Sequence, residues 1–377
     1  MIRIPETNSF VHAVAEQKDI DLAKSRALEA IENKELITPG KEDTLAKVKN
    51  DLSSSPKPDT AHFHLLPHSA AELNKMPEVR IPDYLFHRYR YDIFPITQEN
   101  DNYPPCLQIE PSSICNFRCV FCYQTDAELT KKINGHMGFM DIDLFKNIVD
   151  QAEGNVEFVT LASRGEPTIH PKFNELMEYL RNKFLGLKIN TNASRLTEEK
   201  CHAILQSNAS TVVFSADAAN EPLYSSMRVN GNLDQTLTNV ENFQEIRSKH
   251  YPKSPTISRV SGVKFSKDQS IEDMDQTWGG LVDQVAFVDY NPWENSYECK
   301  PSNITEPCSD LWRRMFIWWD GKANPCDVDY LSKLKVGNFP EISLRDLWQG
   351  KAYQNLRARH LSNDRDKIEP CRRCTVI

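Results

Sequence analysis

Cys115-Asn116-Phe117-Arg118-Cys119-Val120-Phe121-Cys122 decides the reading of this chain. Three thiols at C-x3-C-x2-C spacing sit in one short loop, just after the apolar, strand-like run Leu107-Gln108-Ile109-Glu110. Thiolates are the usual protein ligands of iron–sulfur clusters. Three of them on a four-iron cube leave one iron without a protein ligand, and an open coordination position marks a metal site that does chemistry. Two plainer readings compete. A zinc knuckle needs a fourth Cys or His at short range, and none follows before His136. Chance clustering has to be weighed because the chain holds ten cysteines. The spacing favours the cluster over both.

The loop resembles the signature of the radical S-adenosylmethionine (SAM) enzymes, with Phe121 at the family's aromatic position before the third cysteine. The resemblance implies a [4Fe–4S] cluster held by Cys115, Cys119 and Cys122, with the amino and carboxylate groups of SAM on the open iron. It also implies the family's reaction, in which an electron from the cluster cleaves the sulfonium and a 5′-deoxyadenosyl radical takes a substrate hydrogen. The cofactor carries that chemistry, while the protein supplies position, electrostatics and exclusion of side reactions.

Between 107 and 290 strand-like and helix-like segments alternate. Strands are expected at 107–110, 156–161, 187–191, 211–215, 257–263 and 284–288, most of them apolar, as buried parallel strands tend to be. Helices are expected at 141–152, 171–183, 197–207, 234–248 and 270–278, with Asp141 and Thr197 as N-caps. Thr197 has Lys200 three residues on and so lacks a capping box. Repeated βα units predict an α/β fold with a parallel sheet and right-handed crossovers. Six units fit the partial (β/α)6 TIM-like barrel that the resemblance implies, with its chemistry at the C-terminal edge of the strands.

Each remaining motif falls at that edge. Ser163-Arg164-Gly165-Glu166-Pro167 follows the second strand and is similar to the family's Gly-Gly-Glu-Pro segment, which receives the SAM amino group. Gly165, Glu166 and Pro167 match; Arg164 stands where the family has glycine, so a different local backbone is expected. Read alone, Gly-Glu-Pro is a turn. Asn190-Thr191-Asn192 follows the third strand, and Asn190 and Asn192 suit either a ribose hydroxyl or a capped turn. Ser215-Ala216-Asp217 follows the fourth strand, and Arg228 comes after Tyr224-Ser225-Ser226-Met227. In peptide-modifying relatives a serine here meets the ribose and an arginine pairs with the SAM carboxylate, roles that the resemblance gives to Ser215 and Arg228. An arginine fork suits a carboxylate. Without the resemblance Arg228 reads as a surface charge, and Asp217 has a family parallel by position only. The sequence has no Walker loop and no G-x-G-x-x-G stretch.

A second cysteine group, Cys308, Cys326, Cys371 and Cys374, lies near the C-terminus. Cys326 closes the hairpin-like stretch 316–325, with Gly321 five positions earlier, and a helix is expected near 343–360. This resembles the SPASM/twitch extension of radical SAM enzymes, which carries auxiliary iron–sulfur clusters. The full SPASM pattern has seven cysteines; four here imply one auxiliary [4Fe–4S] cluster with every iron ligated, suited to electron transfer or structure. The rival is a four-cysteine zinc site in a zinc-stabilised interaction protein. Asp327 matches the aspartate that is the proposed base of peptide-oxidising relatives; otherwise it is a turn aspartate with Asp329 as a solvated neighbour. Cys106, Cys201 and Cys299 remain unassigned, with Cys201 expected in the core.

Residues 1–100 form an extension without an assigned role. An amphipathic helix is expected near 20–33 and a linker at 53–58. His62, His64 and His68 read as surface histidines, and the aromatic run Tyr84–Tyr91 as a segment packing on the next domain rather than stacking bases. The formal net charge of −8 speaks against a general nucleic-acid binder. No apolar run has the length of a membrane span, and no apolar stretch follows Arg3 and Glu6 as a secretory signal would require. A cytoplasmic location is expected, where cysteine clusters more often mean metal or catalysis than disulfides.

The expected organisation is therefore a mainly helical extension at 1–100, the barrel at 101–295 and the auxiliary-cluster domain at 296–377. The expected reaction is a two-electron oxidation of a small polar metabolite such as a sugar or nucleotide sugar, because no winged-helix peptide-binding segment stands out in the first hundred residues. Peptide maturation and redox-neutral epimerisation are the alternatives. A low-potential donor such as flavodoxin or ferredoxin is the implied partner. Anaerobic reconstitution tests the whole reading: about eight irons per chain and a brown chromophore are expected, whereas bound zinc without iron would end it.

Overall fold

The computed structural model describes residues 16–56 and 61–376. Arg3 and Glu6, and Lys57 and Pro58 of the expected linker, lie outside those residues. One compact unit runs to Asp101, and a second begins at Asn102.

The described part of the first unit is helical, with α1 (Gln17–Glu32), α2 (Glu42–Ser53), α3 (Pro67–Asn74) and α4 (Ile81–Thr97). α1 starts at a capping box formed by Glu16 and Asp19 and buries Ala23, Ala27, Ala30 and Ile31, one stripe of a 3.6-residue period. Arg26 on α1 donates to the carbonyls of Leu73, Asn74 and Met76 at 2.7–3.0 Å, satisfying orphan acceptors at the end of α3. The Tyr84–Tyr91 run lies on α4, where Tyr84, Leu85, Phe86 and Tyr89 are buried.

The second unit contains β1 (Cys106–Ile109), β2 (Arg118–Cys119), β3 (Phe158–Leu161), β4 (Gly186–Thr191), β5 (Thr211–Ser215), β6 (Arg228–Val229), β7 (Ile257–Lys264), β8 (Gln284–Asp289), β9 (Arg314–Ile317), β10 (Lys322–Asn324) and β11 (Gly337–Asn338). One nine-stranded sheet runs in the order β11-β10-β9-β1-β3-β4-β5-β7-β8. From β1 to β8 it is parallel, as the βα alternation predicts. The helices of this part are α5 (Ala127–Thr130), α6 (Ile142–Ala152), α7 (Phe173–Leu180), α8 (Glu198–Gln206), α9 (Glu221–Met227), α10 (Leu233–His250) and α11 (Ile271–Trp278). Asp141 caps α6 through the N–H groups of Asp143 and Leu144. Thr197 is the N-cap of α8 but makes no side-chain cap bond. α7 stops at Leu180, short of the expected 183, because Asn182 turns into the left-handed region at φ +61°.

The sheet and the C-terminal segment differ further from the sequence expectation. The strands are not apolar on both faces: Leu107, Ile109, Val159 and Leu161 join the main core, while the intervening Gln108, Thr160, Lys188 and Asn190 belong to the opposite face. The C-terminal segment also continues the barrel sheet. β9 pairs in parallel with β1, Cys106 opposite Arg314 and Ile109 opposite Ile317, and β10 and β11 extend the edge. Short α12 (Asp310–Arg313) leads into β9, and the expected 343–360 helix breaks at Gly350 into α13 (Leu344–Gln349) and α14 (Lys351–Leu361).

His170 closes the turn after Pro167 and is buried. Its Nε2–H donates to Met140 O at 2.9 Å and its Nδ1 accepts from Lys172 N–H at 3.1 Å, a pair of bonds that requires the neutral ring. Burial accordingly lowers its pKa. The unfolded chain then binds the extra proton, so this contribution to stability is complete above about pH 6.5 and falls as the pH drops below it. Urea midpoints between pH 7.5 and 5.5 should fall more for the native chain than for His170→Gln.

Candidate active site

The thiol loop is held from two sides. β2 and β6 form a small antiparallel ladder that sets Cys119 opposite Arg228, and Val120 N–H donates to Met227 O at 3.0 Å. Within the loop Arg118 donates to the carbonyls of Cys115 and Phe117 at 2.8 and 2.7 Å. Just past the end of β4, the Asn192 amide donates to Asn116 Oδ1 at 3.1 Å and lies 3.9 Å from Cys115 Sγ. Burial pushes all three thiols up, Cys115 to about 12, and the Cys119 thiolate raises its two neighbours further. Iron must displace these protons on binding. The chemistry of three soft donors on one short loop fits a cluster with an open corner.

The other expected residues lie at the ends of the strands and in the turns that follow them. Glu166 is buried, with Oε1 accepting from Thr168 N–H (3.0 Å), Thr168 Oγ1 (2.5 Å) and Thr191 Oγ1 (2.7 Å), and Oε2 accepting from Asn192 N–H (2.7 Å). Its side chain therefore organises the turn and the end of β4. Gly165 lies so close to the loop between β1 and the thiols that a Cβ would stand 2.3 Å from Ser112 O and 2.5 Å from Ile114 O. Pro167 begins the short helix Pro167–Ile169. Asn192 also accepts from Ser194 through its N–H and hydroxyl at 3.0 and 2.7 Å, so its polar atoms are committed to the loops rather than open to a ribose. Asn190 differs: its Oδ1 is buried without a hydrogen-bond partner. An orphaned acceptor at the strand edge is what a ribose hydroxyl would satisfy. Ser215 is half-buried at the end of β5.

Arg228 is not the surface charge of the plain reading. It is buried, its Nε lies 2.5 Å from Asp217 Oδ2 as an ion pair without hydrogen-bond alignment, its Nη1 lies 3.9 Å from Cys119 Sγ, and the guanidinium sits 5.9 Å from the Phe121 ring centre. Asp217 also accepts from Val263 N–H at 2.6 Å. Burial raises the Asp217 pKa against the opposing pull of Arg228. Asp217, given by sequence only a positional parallel, is thus the counter-ion that orients Arg228.

The glycine-to-arginine departure has a physical answer. Arg164 is buried and clamps buried Glu110, Nε to Oε2 at 2.7 Å and Nη2 to Oε1 at 2.6 Å, while Nη1 donates to Tyr330 O at 2.8 Å. The guanidinium lies 4.4 Å from the Trp318 ring centre. Ser163 beside it takes φ +133°, a conformation rare outside glycine. Nothing in the sequence pairs Glu110 with Arg164; only the parallel register of β1 and β3 brings their ends together.

The second thiol group lies in the C-terminal segment that follows β8. Burial raises the Cys326 pKa, and Cys371, Asp329, Cys308 and Cys374 raise it further, so the Cys326 thiol senses the charge of the other three. Gly321 makes the hairpin turn at φ +83°, where a Cβ would meet Phe339 O at 2.3 Å. Buried Arg365 donates to the carbonyls of Cys371, Cys374, Val376 and Glu306 at 2.6–3.3 Å and sets a positive charge beside the thiols. Among the described residues no three His, Cys, Asp or Glu groups meet as a single metal ion requires. A cube spreads its ligands over four irons, so its thiolates need not meet at one point. Asp327 is half-buried, and its pKa is raised to about 6, chiefly by burial and then by Asp310, against a smaller lowering by the Gln108 side chain. Asp329 corrects the expectation of a solvated neighbour. It is fully buried, accepting from Tyr297 OH (2.6 Å), Lys333 N–H (2.9 Å) and Leu334 N–H (2.7 Å). Of the unassigned cysteines, Cys201 is buried in α8, and Cys106 lies 3.8 Å from Thr160 Oγ1.

Comparison with known proteins agrees with this geometry. The radical SAM superfamily model matches residues 109–277, and the SPASM iron–sulfur cluster-binding domain model matches residues 308–375. The chain belongs to the radical SAM superfamily and is an enzyme of that class. Within it, the chain is a SPASM-containing member, whose cofactors are SAM, the [4Fe–4S] cluster that binds it, and auxiliary iron–sulfur clusters. It is 23% identical over 299 residues to the tungsten-containing aldehyde ferredoxin oxidoreductase cofactor-modifying protein of Pyrococcus furiosus, covering 66% of this chain and 81% of that protein. It is 29% identical over 139 residues to the mycofactocin maturase MftC of Mycolicibacterium smegmatis, but covers only 34% of that protein and 37% of this chain. Its fold is similar to that of Streptococcus suis SuiB bound to the precursor peptide SuiA, with a TM-score of 0.55, 18% identity, and 84% and 78% of the two chains covered. No helix among the described residues is long and apolar enough to cross a membrane.

Gly165→Ala should push the turn off the thiol loop, because backbone rather than a flexible side chain is in the way. Overpacking of this kind costs about 1–3 kcal/mol. Iron per chain after reconstitution should fall for this variant, with the thermal midpoint lowered.

Proposed function

We propose that this enzyme performs a two-electron oxidation of a small polar molecule bound inside the barrel, with Asp327 as the proton acceptor. Cys115, Cys119 and Cys122 would hold the SAM-binding cluster and Cys308, Cys326, Cys371 and Cys374 the auxiliary one. When bound, these groups supply the radical that removes a substrate hydrogen and the sink for the remaining electron. The SAM pocket in this reading is formed by Phe121, Gly165, Glu166, Pro167, Asn190, Asn192, Ser215 and Arg228. Asn190 offers the open acceptor, Arg228 the cation beside the thiol loop, and Glu166 and Asn192 the framework.

The observation that carries the reading is the place of Asp327. It adjoins Cys326 in sequence and lies near enough to Gln108 of β1 to feel its side chain, and the neighbours of Gln108 across the sheet on that face are Thr160 and Lys188. A carboxylate between a polar barrel face and an electron sink is where the proton of an oxidised substrate would go. Redox-neutral epimerisation would need no such base. Peptide maturation is the second reading, favoured by the likeness to SuiB bound to SuiA and by the MftC match. A cytoplasmic location and a flavodoxin- or ferredoxin-type donor accompany either reading.

Asp327→Asn should leave reductive SAM cleavage intact and lower oxidised product by about 10²–10⁴-fold, the range of a lost general base. Product mass decides the reaction. A loss of two hydrogens is expected, whereas an unchanged mass in ordinary water with deuterium uptake in heavy water would replace oxidation by epimerisation.

A further inference from the structure

We propose that Arg164 is a positioning residue that couples the C-terminal hairpin to the SAM-binding turn. The inference rests on reading Ser163–Pro167 as that turn, and it holds for either substrate class. One guanidinium joins three parts of the chain. Two of its nitrogens take both oxygens of Glu110 at the end of β1, and the third takes Tyr330 O, four residues beyond Cys326. Its flat face covers Trp318, the residue that opens the hairpin turn. Glu110 makes the clasp double, since it also accepts from the N–H of Arg164 at 3.0 Å and of Trp319 at 3.3 Å. On the other side the turn is tied to the thiol loop. Tyr123, next to Cys122, donates through its hydroxyl to Ser163 O at 2.8 Å, and Gln124 donates to Arg164 O. A glycine at 164 would allow the turn but tether nothing. Arginine fixes the distance between the Glu166 turn and the hairpin that carries Cys326 and Asp327. A substrate that settles against the hairpin therefore acts on the grip of the turn on SAM.

The test uses the full chain, reconstituted anaerobically, with SAM itself as the probe. SAM affinity is read from the change SAM causes in the electron paramagnetic resonance spectrum of the reduced cluster, and KM and kcat from 5′-deoxyadenosine formed under dithionite. Arg164→Met with Glu110→Gln removes the tether while leaving no unpaired buried charge. Arg164→Lys keeps the charge and loses the fork. The double variant should bind SAM about tenfold more weakly, the size of one lost charge-assisted bond. Its KM for SAM should rise more than its kcat falls, at native iron content, and Arg164→Lys should recover part of the affinity. Native SAM affinity and spectrum in the iron-loaded double variant would overturn the proposal. Should that variant fail to load iron, Arg164→Lys decides by the same measurements, with native values overturning the coupling and weakened binding supporting it. A native chain whose spectrum does not respond to SAM would instead sink the assignment of the turn, and this inference with it.

Discussion

The ion pair of Glu110 and Arg164 is the constraint on which the site depends. Both side chains are almost wholly removed from water, and charges in that position are costly unless geometry and further hydrogen bonds compensate them. Here the carboxylate takes a bidentate guanidinium and two backbone N–H groups, and the guanidinium fills its remaining reach with a carbonyl and an indole face. Such an arrangement tolerates few alternatives. It fixes where β1 ends, how the chain leaves β3, and where the hairpin after β9 must lie. Those three places hold, respectively, the approach to the thiol loop, the Glu166 turn and the segment with Cys326.

A second buried pair repeats the logic on the far side of the loop. Asp217 and Arg228 lie at the ends of β5 and α9, and the ladder of β2 with β6 sets Arg228 directly across from Cys119. The thiol loop thus hangs between two charged anchors, with Asn192 reaching it from just past the end of β4. Rigidity in the supporting residues is what a site needs if its first contacts are to be held to fractions of an ångström. The polar atoms that are not used in this framework are then informative. Asn190 Oδ1 is buried and has no protein partner, while its near neighbour Asn192 is fully engaged.

Much of this was legible in the residues. Short apolar runs alternating with helix-like segments located all six barrel strands and the helices between them, because the side chains that build the core are read from local sequence. The three-thiol loop and Gly-Glu-Pro stand out because few residue types can do their work. What stayed hidden depends on long-range register. Asn190 and Asn192 look equivalent in sequence, and only the fold separates the committed amide from the open one. Asp329 reads as an exposed turn acid until Tyr297 and two backbone N–H groups are seen to close over it. Arg164 reads as a mere departure from a glycine, since its partner lies on another strand. The polar inner face of the barrel was missed for a related reason: short strands rich in Val, Ile and Leu hide the alternation.

The pairing of β9 with β1 makes the iron-binding tail a structural part of the barrel rather than an appendage. Cutting the chain before it would strip β1 of one of its two hydrogen-bonded neighbours and bare a row of backbone donors and acceptors, the kind of edge that recruits other chains. The tail therefore could not have been a freely exchangeable module once this sheet was established. Any ancestor or engineered form without it must have guarded that edge in some other way, with a different strand, a covering loop or a second subunit.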